Sequence, residues 1–339
     1  MHPTAPRTIG QTGITLSPLV FGGNVFGWTA DKAASFAMLD RLLDAGLTSI
    51  DTADVYSRWV PGNQGGESET ILGEWMQSRG ARDRIQLITK VGLDMGEAGQ
   101  GLSAAHIERA VEASLTRLRT DRIDVYFSHH FDDGVPQAET LGAFDRLVRA
   151  GKVRAIGASN FTAAQVREAL DVAAAQGLPR YAVLQPEYNL FDRAGFDGPL
   201  RDLALAEGLA VICYYSLASG FLTGKYRSAA DLAQSSRGAG IGQKYLTPRG
   251  LRILAALDAV AAPARRTWRR WRAWCAPRSC SCRPTMWKRS TPPARRRRHE
   301  QRRPDIHPTI ATVEPARIIL RLCKHWGHKW PVQSDEQDG

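Results

Sequence analysis

The sequence predicts an α/β fold in which helices cover a parallel sheet, and three observations support this. Seven short β-type runs alternate with longer amphipathic runs, a pattern that requires crossover connections between parallel strands. No GxGxxG motif follows the first strand candidate, which disfavours a doubly wound dinucleotide-binding sheet. The chain of 339 residues is long enough for one large barrel. We therefore predict a (β/α)8 barrel of the TIM type.

The individual elements follow from local patterns. Short alternating runs around Gly10 and Gly13 predict a small N-terminal β-hairpin. Ser103 and Thr162 precede helical patterns and can cap their exposed N–H groups. After a further helical pattern at 249–262 the expected eighth strand does not follow, so the barrel is predicted to be incomplete. The strand candidates are 18–22, 47–51, 85–90, 123–129, 153–158, 182–186 and 209–214, and the other helical patterns are 31–45, 67–78, 103–119, 137–150, 162–176 and 198–207.

Charge and cysteine are distributed unevenly along the chain. The formal net charge is +11, but residues 262–339 contain 19 Lys+Arg against 6 Asp+Glu, whereas the remainder contains 26 and 28. The main part is therefore nearly neutral, so no specific nucleic-acid partner is expected for it. Only Cys213 of the five cysteines lies in the main part, so no disulfide framework is expected there. Because the N-terminus has no apolar leader and no 18-residue apolar run occurs, we expect a soluble cytoplasmic protein without membrane contact.

Four polar residues fall at or just after predicted strand ends, where a barrel of this type carries its catalytic side chains. They are Asp51 in SIDTADVY, Tyr56 five residues later, Lys90 at the end of LITK, and His129 in VYFSHH. We expect a buried Lys90 to lower the pKa of Tyr56 from about 10, and Asp51 to keep Lys90 charged. An imidazole beside the phenol can orient a carbonyl group or pass a proton.

These residues, with the motifs IDTADVY, LITKVG, GASNF, LQPEYN and YSLASGFLTGKY, resemble the aldo-keto reductase family over about residues 7–262. Within it the chain is most similar to the monomer-type bacterial enzymes related to potassium-channel β subunits. The resemblance implies that a hydride passes from NADPH to a small aldehyde or ketone, with NADH as an open alternative. It implies that Tyr56 donates the proton and that Lys90 adjusts the pKa of Tyr56. Asp51 would be the partner of Lys90, and His129 would orient the substrate.

The same resemblance implies the residues that bind cofactor and substrate. Ser159, Asn160 and Gln185 match the positions that hydrogen-bond the nicotinamide carboxamide, which fixes the ring face that meets the substrate. Tyr215 matches the aromatic residue that stacks on the ring. The following loop would hold the pyrophosphate with backbone N–H groups and a lysine, and its assigned members are Ser216, Leu217, Ser219, Gly220 and Lys225. Trp28, Trp59 and Phe131 are predicted to line the substrate pocket, with plain packing as the alternative.

One alternative function remains open for the main part. A non-catalytic regulatory subunit that binds a nicotinamide nucleotide would carry the same four residues. His130 neighbours His129, but strand alternation sends the two to opposite faces, and the family register favours His129. No metal site is expected.

The sequence after residue 262 departs from the family pattern. A related chain would supply an eighth strand, an eighth helix and a segment that holds the adenosine 2′-phosphate, whereas this chain continues with Arg, Trp, Pro and Cys and no period of 2 or 3.6. We therefore predict a truncated barrel over 1–262, a basic segment of low order over 263–303, and a fragment of a second small domain over 304–339.

The end of the chain has a different composition. Residues 305–339 resemble the start of a small bacterial domain of unknown function, the DUF2218 type. Cys323, His325 and His328 have metal-like spacing there, but so few candidate ligands in a fragment make a weak site.

The basic segment has rival interpretations. Trp268, Trp271 and Trp274 among Arg residues could meet membranes or single strands, and ARRRRHEQRR could bind nucleic-acid phosphates. We favour a disordered tail produced by loss of the reading frame near residue 262, because shifted Ala, Gly, Leu and Val codons of GC-rich DNA encode these residue types. Without its closing strand and adenosine-binding segment, the chain is expected to be poorly soluble or inactive.

The nucleotide sequence around codon 262 tests the frameshift hypothesis. Deleting or adding one base there should restore a family-like ending, with an apolar strand followed by an amphipathic helix. If no single-base change restores such an ending, the hypothesis is rejected.

Overall fold

The computed structural model describes residues 5–274, with side chains up to residue 261. The chain divides into two units, Met1–Ile253 and Leu254–Gly339. The first unit contains both sheets and every element that positions the site. Among the described residues no helix is long and apolar enough to cross a membrane.

The predicted N-terminal hairpin is present. Strands β1 (Arg7–Thr8) and β2 (Thr15–Leu16) pair antiparallel, with Arg7 opposite Leu16. Ile9, Ile14 and Leu16 are buried in one cluster with inward-facing residues of the main sheet, including Val125 and Val183. The hairpin therefore contributes apolar side chains to the interior of the sheet.

The main sheet has seven parallel strands in chain order, which confirms the predicted fold class. Its first strand pairs only with the second, and its last only with the sixth, among the residues that are described. This arrangement is that of an incomplete (β/α)8 barrel. The strands are β3 (Val20–Gly22), β4 (Ser49–Asp51), β5 (Gln86–Val91), β6 (Ile123–Ser128), β7 (Val153–Ser159), β8 (Val183–Gln185) and β9 (Ala210–Val211).

Helices connect the strands and cover the sheet. They are α1 (Lys32–Asp44), α2 (Glu67–Arg79), α3 (Ala104–Leu118), α4 (Gln137–Arg149), α5 (Ala163–Gln176), α6 (Pro199–Ala206), α7 (Gly238–Lys244) and α8 (Pro248–Trp274). Both predicted caps are formed: Ser103 Oγ accepts from His106 N, and Thr162 forms a reciprocal capping box with Gln165. Short 3-10 segments at Ala218–Thr223 and Ala229–Gln234, and helix α7, were not predicted, because this glycine- and serine-rich stretch has no helical period.

Helix α8 is longer than the sequence predicted. Its helical backbone continues to Trp274, whereas we expected the ordered pattern to end near residue 262. Arginine and alanine are good helix formers, which accounts for the longer helix. The rest of the predicted regions 263–303 and 304–339 lies outside the described residues. The prediction of a disordered tail and the candidate ligands Cys323, His325 and His328 fall there.

Helices α2 and α3 cross closely at a glycine. A Cβ on Gly73 of α2 would lie 2.2 Å from the backbone oxygen of Arg117 in α3, so only glycine fits without a shift of backbone. This close approach brings the end of α3 against α2, the helix that follows the loop of Tyr56.

Substituting this glycine tests the helix crossing. Gly73→Ala should lower the free energy of unfolding by about 1–3 kcal/mol, because the added methyl overpacks a backbone contact. Gly142→Ala in α4 is the matched control, since its nearest neighbour would be the end of the Arg146 side chain at 3.9 Å. The control should be neutral or stabilising by up to about 1 kcal/mol. Equal effects in urea unfolding would contradict the packing described.

Candidate active site

The parallel register brings the predicted catalytic side chains to one edge of the sheet. Asp51 is the last residue of β4, Lys90 lies next to the end of β5, and His129 directly follows β6. Asp51 pairs with Ile88, and Lys90 with Phe127, across neighbouring strands. The C-terminal ends of parallel strands share one edge, so residues far apart in sequence meet there.

A buried ion pair forms the centre of the site. Lys90 Nζ lies 2.8 and 2.7 Å from the two carboxylate oxygens of Asp51, and it also donates to the Thr52 carbonyl oxygen at 2.8 Å. The Lys90 side chain has no exposed surface. Its fourth neighbour is the Tyr56 hydroxyl oxygen at 3.4 Å. The four predicted residues come together, since the Tyr56 and His129 ring centres are 5.9 Å apart.

The pKa values in this group differ in part from the sequence prediction. Burial alone would lower the pKa of Lys90, but Asp51 and Tyr56 outweigh it, so the pKa lies above its ordinary value and the ammonium stays charged. The expectation of a lowered pKa for Tyr56 is not met. Burial raises the pKa of Tyr56 above 10, and the opposing effect of Lys90 is smaller. Tyr56 is therefore a protonated phenol across the neutral range.

His129 is a neutral imidazole. Burial, followed by the nearby Lys90 charge, holds its pKa well below 6.5. Its Nδ1 atom is buried and has no hydrogen-bond partner among the described residues. The neighbouring His130 is exposed, and its Nδ1 lies 3.2 Å from the Phe131 carbonyl oxygen.

A cavity of about 770 Å³ opens beside this group. Most of the sequence-predicted residues line it: Asp51, Tyr56, His129, Ser159, Asn160, Gln185, Tyr215, Ser216, Ser219, Trp28 and Trp59. Lys90 lies behind Asp51 and Tyr56. Four predicted residues are not part of the lining: Phe131, Leu217, Gly220 and Lys225. Phe131 packs edge-on against Phe161 at 5.2 Å, and the Lys225 ammonium lies over the Tyr226 ring.

Three amide- and hydroxyl-bearing residues lie together on the cavity wall. Ser159 Oγ donates to the Gln185 carbonyl oxygen at 2.8 Å, and Gln185 Nε2 donates to Asp51 at 3.3 Å. Asn160 Nδ2 donates to the His129 carbonyl oxygen at 2.9 Å. The hydroxyl of Tyr214, which the sequence analysis did not select, donates to Asn160 Oδ1 at 2.7 Å. This bond fixes the orientation of the Asn160 amide.

The loop after β9 contains several residues with a left-handed backbone conformation. Tyr215, Ala218 and Ser219 have φ values of 53, 49 and 57°, which is left-handed geometry. The Tyr215 ring is 44% exposed at the cavity. An accessible aromatic face beside Ser159, Asn160 and a glutamine amide suits a flat ring that carries a carboxamide. The donors and the cavity size therefore fit a nicotinamide nucleotide.

Sequence analysis also missed cationic residues on the wall. Arg237, at the start of α7, lines the cavity with its guanidinium 5.1 Å from the Trp28 ring centre. Lys244 at the end of α7 also lines it, paired with Glu187 and Asp192. Neither lies at a strand end, so the rule that found the other residues could not find these. In residues 5–261 no group of three or more His, Cys, Asp or Glu is placed to hold a metal ion.

Comparison with known proteins shows the family. A profile of the Aldo/keto reductase family matches residues 18–271. The chain is 36% identical over 227 residues to the uncharacterized oxidoreductase YrpG of Bacillus subtilis, covering 64% of this chain and 68% of that protein. It is 36% identical over 254 residues to norsolorinic acid reductase stcV of Emericella nidulans, covering 68% of this chain and 62% of that protein. An uncharacterized 11.2 kDa protein in the crtE 3′ region of Pseudescherichia vulneris is 63% identical over 92 residues, 27% of this chain and 89% of that protein.

The chain belongs to the aldo/keto reductase family and is an NAD(P)H-dependent oxidoreductase. The match starts just before β3 and ends within α8 at residue 271, so it both begins and ends later than the resemblance over about 7–262 that the sequence predicted.

Removing the counter-charge of Lys90 tests the buried ion pair. Asp51→Asn should lower the free energy of unfolding by about 3–5 kcal/mol near neutral pH, because an ammonium without exposed surface loses its partner. The double substitution Asp51→Asn with Lys90→Met should recover most of that loss, since no unpaired charge remains. Asp44→Asn, at an exposed site, is the control. A loss for Asp51→Asn no larger than for the control would contradict the pair's role.

Proposed function

We propose that the protein reduces a small aldehyde or ketone to an alcohol with NADPH, and that Tyr56 donates the proton. The observation that carries the proposal is the position of the Tyr56 hydroxyl. It lies 3.4 Å from a charged Lys90 and lines the same cavity as Ser159, Asn160 and Gln185. A proton donor and a carboxamide site on one wall are what hydride transfer to a carbonyl group requires.

The residues on the wall would hold the cofactor by its nicotinamide end. Bound NADPH would supply a hydride to the carbonyl carbon. Ser159, Asn160 and Gln185 would bind the carboxamide, and the exposed face of Tyr215 would support the ring. Arg237 adds a positive charge to the cavity, which favours a cofactor that carries phosphate groups. These contacts would exclude water and hold one face of the ring toward Tyr56.

Tyr56 can act as the acid although its pKa is not lowered. Lys90 Nζ donates to the Tyr56 oxygen, which leaves the phenolic proton available to the carbonyl oxygen in the cavity. That oxygen becomes an alkoxide, which is more basic than a phenolate, as the hydride arrives. The proton therefore moves from Tyr56 to the alkoxide, and the Lys90 charge stabilises the phenolate that remains.

His129 orients the substrate rather than supplying a proton. Because its pKa is well below 6.5, the imidazole is neutral at physiological pH. A buried N–H without an acceptor is costly, so we assign the ring proton to Nε2 and the lone pair to the unpartnered Nδ1. The Nε2–H group can then donate a hydrogen bond to the carbonyl oxygen beside Tyr56.

The substrate side of the cavity is aromatic. The Trp59 ring lies 5.6 Å from Tyr56 and 5.8 Å from Trp28, both edge-on. Trp59 is 47% exposed, so it offers a contact surface rather than core packing. These rings favour a carbonyl compound with an apolar or aromatic substituent.

Single-turnover oxidation of NADPH tests the proposal in the full chain. Tyr56→Phe should slow reduction of a nitrobenzaldehyde by at least roughly 1,000-fold while NADPH binding, followed by its fluorescence, persists, because only the proton donor is lost. His130→Gln is the control and should retain the wild-type rate, since this histidine is exposed.

This assay distinguishes a carbonyl reductase from a subunit that only binds the nucleotide. A wild-type chain that binds NADPH and never oxidises it would contradict the proposed reaction and favour a regulatory nucleotide-binding subunit. The truncated barrel gave the opposite expectation, a poorly soluble or inactive chain, and soluble protein with Tyr56-dependent turnover would overturn that expectation in favour of the proposed function.

A further inference from the structure

A second group of polar side chains, four of them buried and one half-buried, lies behind the catalytic residues. We call it the acid cluster, and it consists of Asp54, Glu69, Thr89, Arg117 and Tyr126. Asp54 and Glu69 are 1% and 0% exposed, and Tyr126 is fully buried. The proposed mechanism uses none of the five. Asp54 nevertheless lies on the short loop between Asp51 and Tyr56.

Each carboxylate oxygen of Glu69 has a hydrogen-bond partner. One of its carboxylate oxygens accepts from Arg117 Nε at 2.7 Å, and the other accepts from Thr89 Oγ1 at 2.5 Å. Gly66, with a φ of 85°, makes room for Arg117, because a Cβ there would lie 2.4 Å from the Arg117 side chain. The Arg117 guanidinium therefore packs against Gly66 and forms its ion pair with Glu69.

Asp54 has no such partner. Its Oδ1 accepts from the backbone N–H of Val55 at 2.7 Å, but its Oδ2 is buried without a hydrogen bond among the described residues. The Tyr126 hydroxyl is buried and unpartnered in the same way. An ionised carboxylate in that position would cost much more free energy than a neutral carboxyl group.

The charges around Asp54 come from every element packed against it. Glu69 of α2 repels a negative charge there, and Arg117 of α3 and Lys90 of β5 attract it. Tyr126 of β6 faces it as a neutral phenol, whose pKa burial raises well above 10. Arg117 already forms an ion pair with Glu69, and Lys90 forms one with Asp51. Asp54 is therefore the acid of this group without a cation of its own. Burial, and next Glu69, raise the pKa of Asp54 to about 8.

We propose that Asp54 is a positioning residue that holds the loop of Tyr56 in its active geometry only while Asp54 is uncharged. Backbone hydrogen bonds connect Asp54 with β5 and with the turn that carries Tyr56. Asp54 N donates to the Lys90 carbonyl oxygen at 3.2 Å, and Tyr56 N donates to the Ala53 carbonyl oxygen at 3.2 Å. When Asp54 ionises, repulsion from Glu69 pushes this turn away from β5. The Tyr56 hydroxyl then moves relative to Lys90. The proposal rests on the proposed function for its effect on rate, but not for its effect on stability.

The first experiment measures thermal unfolding against pH and needs no activity. An acid whose pKa rises from 3.8 in the unfolded chain to about 8 in the folded one stabilises the fold fully below 3.8, and this contribution is lost as pH rises through 8. Asp54→Asn, a mimic of the neutral acid, should therefore match the wild type near pH 4. Its melting temperature should exceed that of the wild type by an amount that grows with pH and levels off above about 8, reaching at least roughly 5 °C.

Two further variants keep this test decisive. Asp133→Asn replaces an exposed carboxylate and should show no such pH-dependent difference. Glu69→Gln removes the repelling charge and should shift the wild-type pH dependence to lower pH, even if Asp54→Asn folds poorly. A constant difference between Asp54→Asn and wild type at all pH values, with no shift in Glu69→Gln, would overturn the proposal.

The second experiment measures the pH dependence of reduction. Wild-type kcat/KM should fall roughly tenfold between about pH 7 and pH 9, whereas Asp54→Asn should fall less than about twofold. Burial raises the pKa of Tyr56, so we expect ionisation of Tyr56 only at higher pH than this fall. Identical profiles for the two proteins would overturn the positioning role. If neither protein turns over, the proposed function fails, and the melting experiment still decides whether Asp54 is neutral.

Discussion

The Lys90–Asp51 ion pair is the interaction on which the site depends. A lysine without exposed surface stays charged only because both oxygens of Asp51 and the carbonyl oxygen of Thr52 replace its hydration shell. The two residues belong to neighbouring strands, and the register places Asp51 opposite Ile88, two residues before Lys90 and on the same face of the sheet. The pair therefore holds the positive charge of Lys90 in a fixed position, 3.4 Å from the Tyr56 hydroxyl oxygen.

The loop from Asp51 to Tyr56 connects this pair with a second, deeper set of charges. On one side, Asp51 and Tyr56 face the cavity. On the other, Asp54 faces Glu69, which Arg117 neutralises. Both pairs are balanced and Asp54 is left over, so in our proposal the geometry of this six-residue segment depends on whether Asp54 is charged. In this account the buried charges, rather than the flexibility of surface loops, determine where the proton donor lies.

Much of the site could be predicted because strand ends obey a simple rule. Asp51, Lys90 and His129 were found from the periodicity of β4, β5 and β6, since parallel strands deliver their C-terminal residues to one edge. Tyr214 and Arg237 could not be found this way. The left-handed backbone of Tyr215 brings two consecutive tyrosines to the cavity, against the alternation of a strand, and Arg237 follows an irregular stretch.

The pKa of Tyr56 and the acid cluster lay beyond sequence reasoning for a further reason. The sequence indicates that a lysine lies near the phenol, but not how deeply the phenol is buried, and burial outweighs the lysine. The contacts among Asp54, Glu69 and Arg117 join a loop and two helices that no local pattern links. At the C-terminal end, composition predicted a loss of order near residue 262, whereas the helix continues to Trp274 because arginine suits a helix.

A crystal structure of the chain with bound NADPH is the most direct test of the central claim, that one buried ion pair holds a phenol beside a nicotinamide site. The account predicts the carboxamide within hydrogen-bond distance of Ser159, Asn160 and Gln185, with the ring against Tyr215 and the Lys90–Asp51 pair intact behind Tyr56. A nicotinamide bound outside this cavity, or a Lys90 that turns away from Tyr56 when the cofactor binds, would contradict it.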